Sequence, residues 1–207
     1  MKFQNFISEK FSDNQDELES IINNIKKECK QIINLYKNVK TPIYRGIKGA
    51  DRFFEKRNVR TNRQPRVINE ESHKLLDKLF LKHYGWKARS EGLFCGSNSV
   101  SRTWGDYGII YIIFPIGNFK YIWTPNPEDG FWEYLVKLER YNKANLEVSN
   151  DFIENLDYAV KTDYYDKDIE KPLNKLFHDF EVILKCKSYY AIKQRGDTWN
   201  KIKEMIK

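Results

Sequence analysis

The chain has 207 residues, 36 Lys plus Arg against 29 Asp plus Glu, a formal charge of +7, and 41% apolar residues including 13 Phe, 13 Tyr and 5 Trp. That length fits one sizeable domain, the apolar content excludes global disorder, and no apolar run reaches the roughly 18 residues that a membrane span needs. The N-terminal segment has no apolar h-region, so no secretory leader is expected. Three scattered cysteines, Cys29, Cys95 and Cys186, form no CxxC pair. They exclude a disulfide scaffold and a zinc ribbon, and point to a reducing, cytoplasmic compartment.

The first forty residues read as helix, with Leu18, Ile21, Ile22, Ile25, Cys29, Ile32, Ile33 and Tyr36 on one apolar stripe. Thr41-Pro42 ends it, because a residue before proline is pushed out of the α region. Ile43 to Ile47 reads as a strand, and residues 48–68 as a long basic loop. A second amphipathic helix starts after Asn69, an N-cap, and stops at Gly85. Gly92 to Cys95, Gly108 to Ile116 and Phe119 to Trp123 are short β-branched and aromatic runs, hence strands. Helices are expected near 150–164 and 168–177, the latter holding Pro172 in its first turn. Phe180 to Leu184 and Tyr189 to Ile192 read as a closing hairpin, and 197–206 as a last helix. This order argues for one α+β domain, residues 41–207, with an N-terminal helical layer over residues 1–40.

Metal chemistry finds little support: there is no HExxH, and His73 and Asp77, one helical turn apart, read as a surface hydrogen bond. Walker, Rossmann and GxSxG patterns are absent. Arg57, Arg60, Arg63 and Arg66 recur every three residues; in a polyproline-II-like segment they would line one edge suited to phosphates, and otherwise they are a solvated loop. In Asp179-Phe180-Glu181-Val182, strand alternation places the two acids on one face and the apolar pair on the other. Tyr44-Arg45-Gly46 sets an arginine in an apolar strand, with Gly46 admitting close approach to the backbone. Ser97 and Ser99 follow the strand ending at Phe94-Cys95, and capping accounts for one of them but not both.

Together these elements resemble the ADP-ribosyltransferases of the Arg–Ser–Glu class. Tyr44-Arg45-Gly46 resembles that family's first-strand arginine, and Phe94-Cys95-Gly96-Ser97-Asn98-Ser99 its F-x-x-S-T-S strand, with Asn98 at the middle Thr. Asp179-Phe180-Glu181 is similar to its E/Q-x-E, with Asp179 at the position that helps choose the acceptor. The stretch from RTNRQPR through RSEGLFCGS to FPIG is also similar to bacteriophage proteins. The resemblance covers about residues 42–193 and implies a split β-sheet core that binds NAD as co-substrate, without metal. By it, Arg45 and Gly46 would hold the pyrophosphate and adjoining ribose, and Ser97 or Ser99 would order the site. Phe94, Trp104 and Tyr107 would either stack on nicotinamide or pack in the aromatic core. Glu181 would bind the ribose 2′-hydroxyl and stabilise the cation formed as nicotinamide leaves, with Asp179 beside it.

The expectation is therefore an NAD-dependent mono-ADP-ribosyltransferase, a pentosyl-transferring enzyme acting on a protein or nucleic-acid acceptor in the cytoplasm, the host's if the chain is phage-encoded. Two alternatives stand beside it. One is a non-catalytic nucleic-acid-binding module built on Arg57, Arg60, Arg63 and Arg66. The other is an interaction protein whose N-terminal helix docks on a partner, so that removing residues 1–40 leaves a soluble fold.

Overall fold

The computed structural model describes residues 18–61, 63, 68–99, 108–125, 131–144, 146–175 and 179–207. The N-terminal stripe is helical over 18–28 (α1) and, after an interruption at Cys29, over Lys30–Lys37 (α2). Its apolar positions face inward: Ile22, Ile25, Cys29, Ile32 and Tyr36 are each 1% exposed or less. Tyr36 fastens the layer to the sheet. Its hydroxyl donates to the Ile113 carbonyl at 2.8 Å and accepts from the Ile43 amide at 3.0 Å.

Seven strands follow, interleaved with helices: β1 (Tyr44–Ile47), β2 (Phe54–Asn58), β3 (Leu93–Gly96), β4 (Ile109–Pro115), β5 (Lys120–Thr124), β6 (Glu181–Lys185) and β7 (Ser188–Lys193). The helices are α3 (Glu70–Tyr84), α4 (Ala88–Glu91), α5 (Phe131–Lys143), α6 (Asn150–Asp163), α7 (Glu170–Asn174) and α8 (Thr198–Ile206). The fold is mixed helix and antiparallel sheet. The α3 caps are those expected: the Asn69 side chain accepts from the Ser72 amide at 2.8 Å, and Gly85 closes the helix at φ 73°.

The strand order is β2-β7-β4-β1-β3-β6-β5. Two sequence expectations change here. Residues 54–58 of the expected basic loop form an edge strand, because β7 supplies backbone partners from Ile192 to Ser188. The expected closing hairpin does not form, although both of its strands do: β6 pairs with β3 and β5, and β7 with β2 and β4. Only Cys186 and Lys187 join them. In a flat sheet β6 and β7 would lie four strand spacings apart, roughly 19 Å, yet three Cα steps reach at most about 11 Å. The sheet must bend sharply. It parts at β1 and β3, which pair through Tyr44 and Gly96 alone.

The bend encloses a core with contributions from both halves: Ile112, Phe114, Tyr190 and Ile192 on one side, Cys95, Val182 and Leu184 on the other, closed by α1, α2 and α8. A second core lies on the opposite face of β3-β6-β5, where Phe94, Ile122 and Ile183 meet Phe80, Trp86, Leu138 and Leu156. β6 is thus buried on both faces, which is why it reads as a continuous apolar run. The N-terminal layer shares the first core, so its apolar stripe is already covered by the chain's own sheet.

Candidate functional site

The register of the sheet aligns one residue from each of four strands. Tyr44 pairs with Gly96, Gly96 with Glu181, and Glu181 with Thr124. Arg45 follows Tyr44 and Ser97 follows Gly96, so the arginine, serine and glutamate elements meet at the seam where the sheet parts. Arg45 is half-buried, and its Nη1 donates to the Phe94 carbonyl across the seam. Among the described residues Arg45 forms no ion pair, and besides the Phe94 carbonyl its side chain meets the Cys95 thiol. Gly46 is buried on β1 opposite Ile110.

Ser97 is buried at the end of β3, and its amide donates to the Phe180 carbonyl at 3.0 Å. The Ser97 and Ser99 hydroxyls lie 3.0 Å apart. Both reach the same oxygen of Asp179: Ser97 at 3.4 Å, Ser99 in a short contact. Both serines and the acid ahead of β6 therefore form one cluster. Asp179 and Ser99 are exposed and Ser97 is not, so the cluster runs from the surface into the seam.

Glu181 is 6% exposed. Burial raises its carboxyl above the ordinary range; the positive charges of Arg89 and Arg63 and the hydroxyl of Tyr164, 3.5 Å away, oppose that rise without cancelling it. Phe180 and Val182 point into the first core, and Glu181 shares the face of Ile183, as alternation requires. Burial also pushes the Cys29, Cys95 and Cys186 thiols up to about 12, so none supplies a thiolate at neutral pH.

Among the described residues, the arginines of the series do not line a single edge. Arg57, on β2, is held by Glu55, and Arg60 is exposed. Arg63 instead reaches the seam, its guanidinium 4.1 Å from the centre of the Phe94 ring. Arg66, Tyr107 and Trp104 lie outside the described residues. The Phe94 ring is covered by Arg63 and by Arg89, at 4.9 Å, and joins the second core, so it offers no open face for the expected stacking on nicotinamide.

Arg89 and Tyr164 are site residues that sequence reasoning missed. The signal for Arg89 was its place three residues before Gly92: a Cβ there would fall 2.2 Å from Ile183 Cγ2, so only glycine lets α4 lie this close to β6. Tyr164 left no local signal. His73 and Asp77, expected as a surface pair, are buried, at 6% and 5% exposure. Asp77 accepts from the Arg89 and Ser90 amides at 3.0 and 3.1 Å and from the Ser90 hydroxyl, and His73 Nε2 lies 3.0 Å from that hydroxyl. The pair anchors α4 on α3 from inside.

Among the described residues no group of three or more His, Cys, Asp or Glu side chains is placed to hold a metal ion, and no helix is long and apolar enough to cross a membrane. Comparison of the chain with protein-family models, with curated proteins and with solved structures gives no match in any of the three.

Proposed function

We propose that the protein is an NAD-dependent mono-ADP-ribosyltransferase with the seam between β1 and β3 as its NAD site, and that the sheet parted there is an ADP-ribosyltransferase-like core. The observation that carries this reading is the row Tyr44–Gly96–Glu181, which joins the arginine, serine and glutamate elements on adjacent strands although 136 residues separate Arg45 from Glu181. In this reading Arg45 holds the diphosphate, since its bond to Phe94 occupies one of a guanidinium's five donors. The glycosidic bond between ribose C1′ and the nicotinamide nitrogen breaks, its electron pair leaving with neutral nicotinamide. Glu181, ionised, stabilises the cation left on the ribose, and an acceptor nucleophile then bonds to C1′ and loses its proton. Ser97 and Ser99 fix Asp179, which faces the acceptor from the exposed end of the cluster.

A purely nucleic-acid-binding role draws less support. Among the described arginines of its series, Arg57 is held by Glu55 and Arg63 turns to the seam rather than joining it on one surface. NAD carrying a label on its adenosine tests the transferase reading: label moves onto a macromolecule of the host lysate with wild type and not with Arg45→Ala. Nicotinamide release without label transfer would restrict the chemistry to NAD hydrolysis.

A further inference from the structure

Phe94 and Gly96 point to one face of β3 and Ile183 and Glu181 to the same face of β6, with Phe94 opposite Ile183 and Gly96 opposite Glu181. The ring of Phe94 is thus a diagonal neighbour of the Glu181 carboxyl. Two guanidiniums lie over that ring, Arg63 at 4.1 Å and Arg89 at 4.9 Å. Bringing two like charges onto one ring is unfavourable unless something fixes them there. The fixing is built into the fold: Asp77 takes the Arg89 amide, and the Ser90 carbonyl takes the Arg63 amide at 3.4 Å. Arg89 Nε is buried and has no hydrogen-bond acceptor among the described residues, and neither does Nδ1 of His73, itself 6% exposed. His73 is held below its ordinary pKa by burial, with Arg89 and Arg63 pushing the same way against Asp77. The buried acids at the cluster are Asp77, taken up by the Arg89 and Ser90 amides and the Ser90 hydroxyl, and Glu181, which leaves Arg89 Nε a buried donor with no acceptor among the described residues.

We propose that Arg63 and Arg89, stacked on Phe94 and braced by His73, Asp77 and Ser90, form a phosphate-binding subsite beside Glu181 that is distinct from Arg45. Planar guanidinium forks recognise phosphate oxygens in pairs, and an aromatic platform keeps the forks oriented. The phosphate has two possible sources, the diphosphate of NAD or the backbone of a nucleic-acid strand. The subsite does not rest on the transferase reading, since binding alone reveals it.

The test titrates the full chain with inorganic pyrophosphate, with NAD and with a single-stranded oligothymidylate, each over a range of salt. Arg63→Ala, Arg89→Ala and Arg89→Lys are compared with Lys120→Ala, a charge-matched change at an exposed residue of β5. Thermal melts confirm that each variant is folded. Arg89→Lys keeps a cation on the ring and loses the fork, so it reports on the site even where Arg89→Ala does not fold. Each alanine weakens the sensitive probe about tenfold, as loss of a charge-assisted hydrogen bond does, while Lys120→Ala does not. Weakening of pyrophosphate and NAD alone assigns the subsite to the dinucleotide. Weakening of the oligonucleotide, with its salt slope reduced by roughly 0.7 per arginine, assigns it to an acceptor strand. Equal binding by all variants, or no binding of any probe by wild type at low salt, overturns the proposal.

Discussion

At Glu181 two opposing effects meet. Burial disfavours its charge, and Arg89 and Arg63 favour it, with burial the larger. The native carboxyl consequently holds its proton at a higher pH than the unfolded one, and native stability falls as pH rises from the ordinary Glu value, about 4.3, to the raised one. Above that window the cost is present in full. Glu181→Gln removes it, so this variant melts higher than wild type at neutral pH, by roughly 2–4 °C for each 1 kcal/mol relieved; the difference closes in acid, and melts across that range check it. The chemistry responds in the same sense. If the ionised carboxylate stabilises the ribosyl cation, the acid limb of kcat/KM lies above the ordinary Glu range. Arg89→Ala moves that limb further up, because it removes the first of the charges that oppose burial. A limb unmoved by Arg89→Ala would detach Arg89 from Glu181.

Among elements, the joint between α4 and β6 is the most exacting. Gly92 has an ordinary extended backbone, at φ −90° and ψ 145°, so its constraint is space alone. An added Cβ would lie 2.2 Å from Ile183 Cγ2 and 2.4 Å from the Ala88 carbonyl oxygen, and that backbone oxygen cannot turn aside. Gly92→Ala is expected to cost about 1–3 kcal/mol as overpacking and to weaken the site by moving Arg89 from Glu181, both read from melts and activity of one variant. Tyr36→Phe acts at the other joint. It strips a donor from the Ile113 carbonyl and an acceptor from the Ile43 amide, at about 1–3 kcal/mol, measured by denaturant unfolding. Elements with their own signals were legible from residues alone: Asn69 and Gly85 frame α3, and the apolar runs mark β1, β3, β4 and β5. β2 was not, because Phe54-Glu55-Lys56-Arg57-Asn58 looks like solvated loop and becomes strand only when β7 offers its edge. The β6–β7 hairpin failed for a related reason. Adjacency in sequence favours pairing, and nothing local in Cys186-Lys187 announces that the sheet parts between them. α5 could have been found from the spacing of Leu135 and Leu138, both buried.

For the molecule as a whole, the N-terminal helices belong to the core. Deleting residues 1–40 removes Ile22, Ile25, Cys29, Ile32 and Tyr36, all almost fully enclosed, and opens the sheet they cover. The truncated chain is expected to lose cooperative unfolding; a soluble, cooperatively melting product would instead restore the partner-docking role. The candidate site was legible as three motifs in order, at Arg45, at Ser97 and Ser99, and at Asp179 and Glu181. Their convergence was not, since it depends on β1, β3 and β6 being neighbours in a sheet whose order departs from the order of the chain. The brace of His73, Asp77 and Ser90 was hidden too, because burial of a polar pair on α3 is decided by what α4 brings against it.

The central claim is that Glu181 acts on NAD at this seam, and nicotinamide release from NAD tests it most directly. Purified wild type is predicted to release nicotinamide, faster with host lysate present, and Glu181→Gln, folded and at least as stable, to release none above background. Equal release by the two proteins, or none by wild type with or without lysate, would contradict it.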